Sequence, residues 1–149
     1  MSGLVLPNRA GKSGIIVGQA SFSASLGTDQ AISSATYTVL EIDTEQYDPN
    51  GWFDITSYRW IPQVAGIYLL NGGVNFTAVE IPRLMIYKNG AIVIGGEATY
   101  DANSQAAMAT GYVEANGNAD YFELVTRTEG TAVADAGAER TYFQGHFVA

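Results

Sequence analysis

Few side chains in this sequence stand in patterns that chemistry uses. Glu41, Asp43 and Glu45 occupy alternate positions, so a β-strand through them would put three carboxylates on one face, with Asp48 and Asp54 close behind. Clustered oxygens are the ligands Ca²⁺ takes, but an EF-hand loop opening at Asp43 needs glycine at its sixth position, where Asp48 stands. The three acids are candidates for a calcium site beside a simpler expectation. That expectation is a solvated strand whose charge discourages edge-to-edge pairing. No other cofactor is expected. Gly11-Lys12-Ser13 matches the end of a phosphate-binding loop, yet the opening glycine would fall on Leu6. His146 is the sole histidine, so a Ser-His-Asp triad would have to use it, beside Phe147 in a strand-like stretch. A packed or solvent-facing strand residue is the plainer reading. No catalytic residue is assigned, and no enzyme is expected. Asn75-Phe76-Thr77 has the form of a glycosylation sequon, which means little without a secretion signal.

Composition narrows the classes further. The chain has 149 residues, no cysteine and a net charge of −8. Without cysteine, disulfides, thiolate metal sites and cysteine nucleophiles are excluded. The negative charge opposes nucleic acid as a partner, since phosphate binding needs clustered Lys and Arg. No apolar run approaches the ~20 residues of a membrane span. The opening MSGLVLPNRAGKSG places its positive charges after a four-residue apolar run, the wrong order and length for a signal peptide.

Charge is unevenly placed. Arg9 and Lys12 are the only charged side chains in residues 1–28, and all fifteen acids lie from Asp29 onward. Residues 1–19 show no clear period and are broken by Gly3, Pro7, Gly11, Gly14 and Gly18, so they cannot build a core of their own. They read as an extended N-terminal arm. One expectation is a loosely docked terminus. The other is an anchor that orders on a partner, with Ile15, Ile16 and Val17 as an apolar plug and Arg9 and Lys12 as its charge.

From Ala20 the sequence reads as short strands parted by turns. Phe22 and Leu26 share a face in Ser21–Leu26, and Tyr37–Ile42 follows as a second strand. Asp48-Pro49-Asn50-Gly51 is a turn in which Pro presets φ and Asn-Gly accepts positive φ. Tyr58–Ile61 ends at Pro62, which cannot donate to a ladder, and residues 66–76 form one long strand. Residues 83–94 are a hairpin around Asn89-Gly90, and 106–114 and 121–128 flank a second turn at Asn116-Gly117-Asn118. The last strand, 141–148, sets Tyr142, Gln144 and His146 opposite Phe143, Gly145 and Phe147. About ten strands without a sustained helical period predict an all-β, antiparallel β-sandwich.

The order of these pieces resembles the C1q/TNF-like jelly-roll family. Ala20-Ser21-Phe22-Ser23-Ala24 is similar to its opening strand, and Tyr47-Asp48-Pro49-Asn50-Gly51-Trp52-Phe53 to its Tyr-Asp turn. Trp60-Ile61-Pro62-Gln63-Val64-Ala65-Gly66-Ile67-Tyr68 resembles Phe-x-x-Pro-x-x-Gly-x-Tyr. Leu84–Gly90 resembles the Leu-x-x-x-Asn-Gly hairpin, and Phe143-Gln144-Gly145-His146-Phe147 has the place of the final Phe-Ser-Gly-Phe with one extra residue. The domains are then an anchor arm, 1–19, and a jelly roll, 20–149. Without a Gly-X-Y stem, such a head behind a short arm resembles virion structural proteins of tailed bacteriophages, as does Lys12-Ser13-Gly14-Ile15-Ile16.

That resemblance implies a homotrimer in which one sheet packs around a threefold axis. The aromatic residues exceed what one core needs, and Trp52, Tyr58, Trp60, Tyr121 and Tyr142 are candidates for the interface. It also implies a place on the surface of the head or tail, with the arm on a capsid or tail protein and no insertion into membrane. The alternative is a recognition module whose loops bind host-surface carbohydrate or protein.

Overall fold

The computed structural model describes residues 20–77, 81–97 and 105–149. Numbered along the chain, the strands begin β1 (Ser21–Leu26), β2 (Gln30–Ile32), β3 (Thr38–Val39), β4 (Ile42–Tyr47), β5 (Phe53–Asp54) and β6 (Arg59–Trp60). They continue β7 (Ala65–Asn75), β8 (Arg83–Lys88), β9 (Ala91–Glu97), β10 (Ala106–Asn116), β11 (Phe122–Arg127), β12 (Ala132–Ala134) and β13 (Tyr142–Phe147). No described residue is helical, so none lies in a helix long and apolar enough to cross a membrane. The five-stranded sheet runs β10-β7-β13-β1-β4 and the six-stranded sheet β5-β6-β11-β8-β9, with β3 also on β11 and a β12-β2 ribbon beside them. Every one of these pairs is antiparallel.

The two sheets close on an aromatic centre. Phe22 stacks on Trp60 at 4.7 Å and Phe53 at 5.4 Å, and meets the edge of Phe143 at 5.0 Å. Trp60 meets Tyr68 edge-on at 4.9 Å, and Tyr68 meets Phe147 at 5.2 Å. These rings come from five strands of both sheets and from the start of the chain to its end, so they fix the topology as well as filling space. The Tyr68 hydroxyl donates to the Val64 carbonyl at 2.7 Å, which satisfies its one buried polar atom. Burial raises its pKa to about 12.

The turns obey their residue types. Asn89 and Gly90 both take positive φ, 52° and 81°, as a two-residue hairpin between β8 and β9 requires. At 48–51 the Gly51 N–H donates to the Asp48 carbonyl at 3.1 Å, and Asp48 Oδ2 accepts the Phe53 N–H at 2.7 Å. In the β10–β11 turn, Asn116 Oδ1 accepts N–H groups from Asn118, Ala119 and Asp120. The Asp120 carboxylate accepts in return from the Asn116 N–H, from Asn89 Nδ2 and from Lys88. Hydrogen bonds from Asn89, then Lys88, hold its pKa below the usual range.

One expected strand is divided. Residues 37–42 were expected to run as one strand, yet Thr38–Val39 pairs with β11 while Ile42 opens β4 against β1. The chain changes sheet between them, where Leu40 and Ile42 are both fully buried and the Ile42 N–H donates to the Leu40 carbonyl at 2.8 Å. The thirteen strands found among the described residues exceed the expected ten or so because several are pieces of two or three residues. The anchor residues Arg9, Lys12, Ile15, Ile16 and Val17 lie outside the described residues.

Candidate functional site

The strand registers set out the outward face of the five-stranded sheet as rows. One row reads Met108, Gly73, Tyr142 and Ser25. The next reads Thr110, Asn71, Gln144, Ser23 and Tyr47, and the third Tyr112, Leu69, His146 and Ser21. None of these positions is Asp, Glu, Lys or Arg, although the chain has fifteen acids and a net charge of −8; Glu114, at the next outward position of β10 opposite Ile67, is the acid that borders them. The rows carry large apolar surface instead: Met108 is 60% exposed, Tyr112 68% and Tyr47 53%. Two glycines shape the face. A Cβ at Gly73 would stand 2.7 Å from the Tyr142 ring, so the ring lies flat across that strand. At Gly145 a Cβ would meet Leu70 and Phe22 of the core, and beside it an open recess of about 340 Å³ is walled by Ser21, Leu69, Asn71, Gln144 and His146. Within the polar row, the Thr110 hydroxyl donates to Asn71 Oδ1 at 3.2 Å.

The outward face of the six-stranded sheet is built differently. Arg59 Nε donates to Glu123 Oε1 at 3.0 Å and its guanidinium lies 4.0 Å from the centre of the Tyr121 ring. Lys88 reaches Asp120 at 2.9 Å, and Arg127 pairs with Glu129 while lying over Tyr37. Charges of both signs pair there, with Glu123 buried beneath Arg59. Charged residues are depleted, and aromatics and Met enriched, at the centres of protein interfaces, so the uncharged face is the candidate site.

Of the five aromatic residues predicted for an interface, only Tyr142 lies on the uncharged face. Trp60 is fully buried in the core, enclosed by Phe22, Tyr68 and Phe122, and has no surface left to offer a partner. Trp52 packs partly buried against Trp60, and Tyr58 sits at a positive φ of 60° in the β5–β6 turn. Tyr121 lies on the opposite, charged face under Arg59. The acids Glu41, Asp43 and Glu45 do not share one strand face. Glu41 lies in the crossing before β4, and bulges in the β1–β4 register break the alternation beyond it. Asp43 Oδ1 instead accepts the Gly27 N–H at 2.8 Å. Among the described residues no three His, Cys, Asp or Glu side chains gather as a metal site.

Sequence reasoning missed Met108 and Tyr112. In β10 the small residues Ala107, Ala109 and Ala115, with Val113, face the core, and the large ones face out. Alternation separates the two faces without saying which is inside. The usable signal was the size mismatch: a strand whose larger alternate residues are Met and Tyr and whose smaller are Ala and Gly has two apolar faces.

No family model matches the chain, and no curated protein sequence does. Solved structures do. Murine APRIL at pH 8.0 aligns with a TM-score of 0.68 at 10% identity, covering 86% of this chain and 98% of its own. The globular domain of zebrafish complement 1qA protein aligns at 0.60 and 10% identity, covering 87% and 97%. Eiger TNF from S. frugiperda aligns at 0.59 and 9%, covering 87% and 91%. At these identities the likeness is one of fold: the chain is an antiparallel jelly roll of the kind seen in TNF and C1q heads.

Proposed function

We propose that three copies of this chain associate through the outward face of the five-stranded sheet. The resulting homotrimeric, non-enzymatic head is a structural protein on the surface of a phage particle. The observation that carries the association is the uncharged face with its exposed Met108, Tyr112 and Tyr47 in an otherwise acidic chain. A cyclic trimer joins unlike halves of one face. Met108 and Tyr112 on the β10 edge would meet the neighbour's β4 half, which bears Tyr47 and Ser23. The virion role draws on the arm: Arg9 and Lys12 flanked by glycines, then Ile15-Ile16-Val17, suit a groove on a capsid or tail subunit. A second reading, a recognition module for host-surface glycan or protein, draws on a recess of about 210 Å³ beside the partly exposed Trp52 and Gln63.

Light scattering on a size-exclusion peak of the full chain tests the assembly, and sedimentation with particles stripped of their surface proteins tests the role. The expected results are a mass three times 15.8 kDa and co-sedimentation that R9E/K12E abolishes. A monomer at every concentration overturns the trimer. A trimer that ignores the particles and binds glycan-bearing envelope instead favours the second reading.

A further inference from the structure

We infer that the apolar run of the arm, Ile15-Ile16-Val17, folds back into the open recess at the root of β1, on the outward face of its own chain. This contact depends on neither the trimer nor the particle, because plug and recess belong to one chain. The recess, of about 340 Å³, lies between β1, β7 and β13, with Ser21, Phe22, Leu69 and His146 among its walls. It therefore begins one residue from the point where the arm joins the head. There the Phe147 N–H donates to the Ala20 carbonyl at 2.8 Å, which holds the chain in the sheet. β4 pairs with β1 no nearer to the arm than Ser23, so no described strand lies across the arm's way back.

Reach, chemistry and charge all select the arm as the occupant. Val17 stands four residues before Ser21, at most about 14 Å of extended chain, and Gly18 between them accepts the positive φ of a tight reversal. The walls include no Asp, Glu, Lys or Arg, and neither does the segment 13–20, so no charge is desolvated when the two meet. Branched aliphatic side chains then cover Leu69 and the Phe22 ring. Arg9 and Lys12 stay outside the plug, above a head that carries five cations against fifteen acids, so attraction draws the arm towards the head. A segment tethered this closely competes at an effective concentration on the order of mM, which a second copy or a free ligand has to exceed. A groove on a particle would receive the plug by exchange with the recess.

The test is NMR of the full chain with labelled Ile, Leu and Val methyl groups, with mass by light scattering on the same samples. The expected result is cross-relaxation between the methyls of Ile15, Ile16 or Val17 and those of Leu69. It persists when labelled chains exchange with an excess of unlabelled ones, as a contact within one chain requires. I15S/I16S/V17S shifts the Leu69 methyl and His146 ring resonances, whereas L4S/L6S, in the arm's other apolar run, leaves them in place. A folded chain without these contacts overturns the inference. So do contacts that fade on mixing, which give the recess to a neighbouring copy, and an L4S/L6S effect as large as that of the plug variant. The contacts in a monomer overturn the trimer and leave the plug standing, and a trimer without them does the reverse.

Discussion

Replacing Tyr112 with alanine is the sharpest test of which face assembles. A tyrosine side chain buries roughly 150–250 Å² when fully enclosed. With 68% of Tyr112 exposed, about 100–170 Å² remains to be covered by a partner. At ~25 cal/mol per Å² this contributes about 2.5–4 kcal/mol per copy, of which the lower end is the safer figure because association also orders side chains. Each copy loses that contribution, so the concentration at which trimers half-dissociate rises ~100-fold or more. The fold itself changes little, since exposed positions usually shift stability by less than about 0.5 kcal/mol. Tyr37 is the control: it is 53% exposed but stands on the charged side, beneath Arg127. A dilution series followed by light scattering or analytical centrifugation measures both variants, with thermal unfolding to confirm that each is folded. The reasoning is refuted if Y112A dissociates at the wild-type concentration, or if Y37A weakens the assembly as much.

Other consequences follow from single positions. W60A removes the ring joining Phe22, Tyr68 and Phe122 and should cost ~3–5 kcal/mol, read as a lowered urea midpoint. G96A should cost ~1–3 kcal/mol, because its Cβ would collide with the Met108 carbonyl oxygen, whereas G95A meets nothing within 4 Å and should be silent. Asp120 has a lowered pKa in the folded chain. Its contribution is therefore present above the unfolded carboxyl pKa, ~3.9, and fades as pH falls through the folded value. D120N should destabilise at neutral pH, and urea melts of the two proteins should converge towards pH 3; parallel melts at every pH would contradict that origin.

How much was legible depended on whether local chemistry or tertiary choice decided the outcome. Asn89-Gly90 dictates its hairpin because few dipeptides accept two successive positive φ angles, and β8 and β9 follow from it. β7, expected over 66–76, runs Ala65–Asn75 because its alternation is strong. The split between β3 and β4 was illegible, since Tyr37–Ile42 has strand propensity throughout and only packing places Leu40 and Ile42 in the core together. The same limit hid the face: an excess of aromatics was visible, but their assignment was not. Trp60 closes the core while Tyr112, similar in pattern, is left outside.

If the proposed trimer and anchor both form, the distribution of charge predicts opposite responses to salt for the two contacts. Three chains of net charge −8 each repel one another, and the uncharged face offers no ion pairs to offset this, so trimerisation should strengthen as salt is added. The Debye length falls from about 30 Å at 0.01 M to about 10 Å at 0.1 M, so repulsion between the chains is increasingly screened over that range. On the proposed anchoring reading, docking of the arm through Arg9 and Lys12 would work through attraction and should weaken over the same range. Paired dilution and co-sedimentation series in 0.02 and 0.3 M salt, each ionic strength being roughly a few-fold either side of 0.1 M, separate the two. If both contacts weaken together, association also draws on charge, and the uncharged face is not where the copies meet.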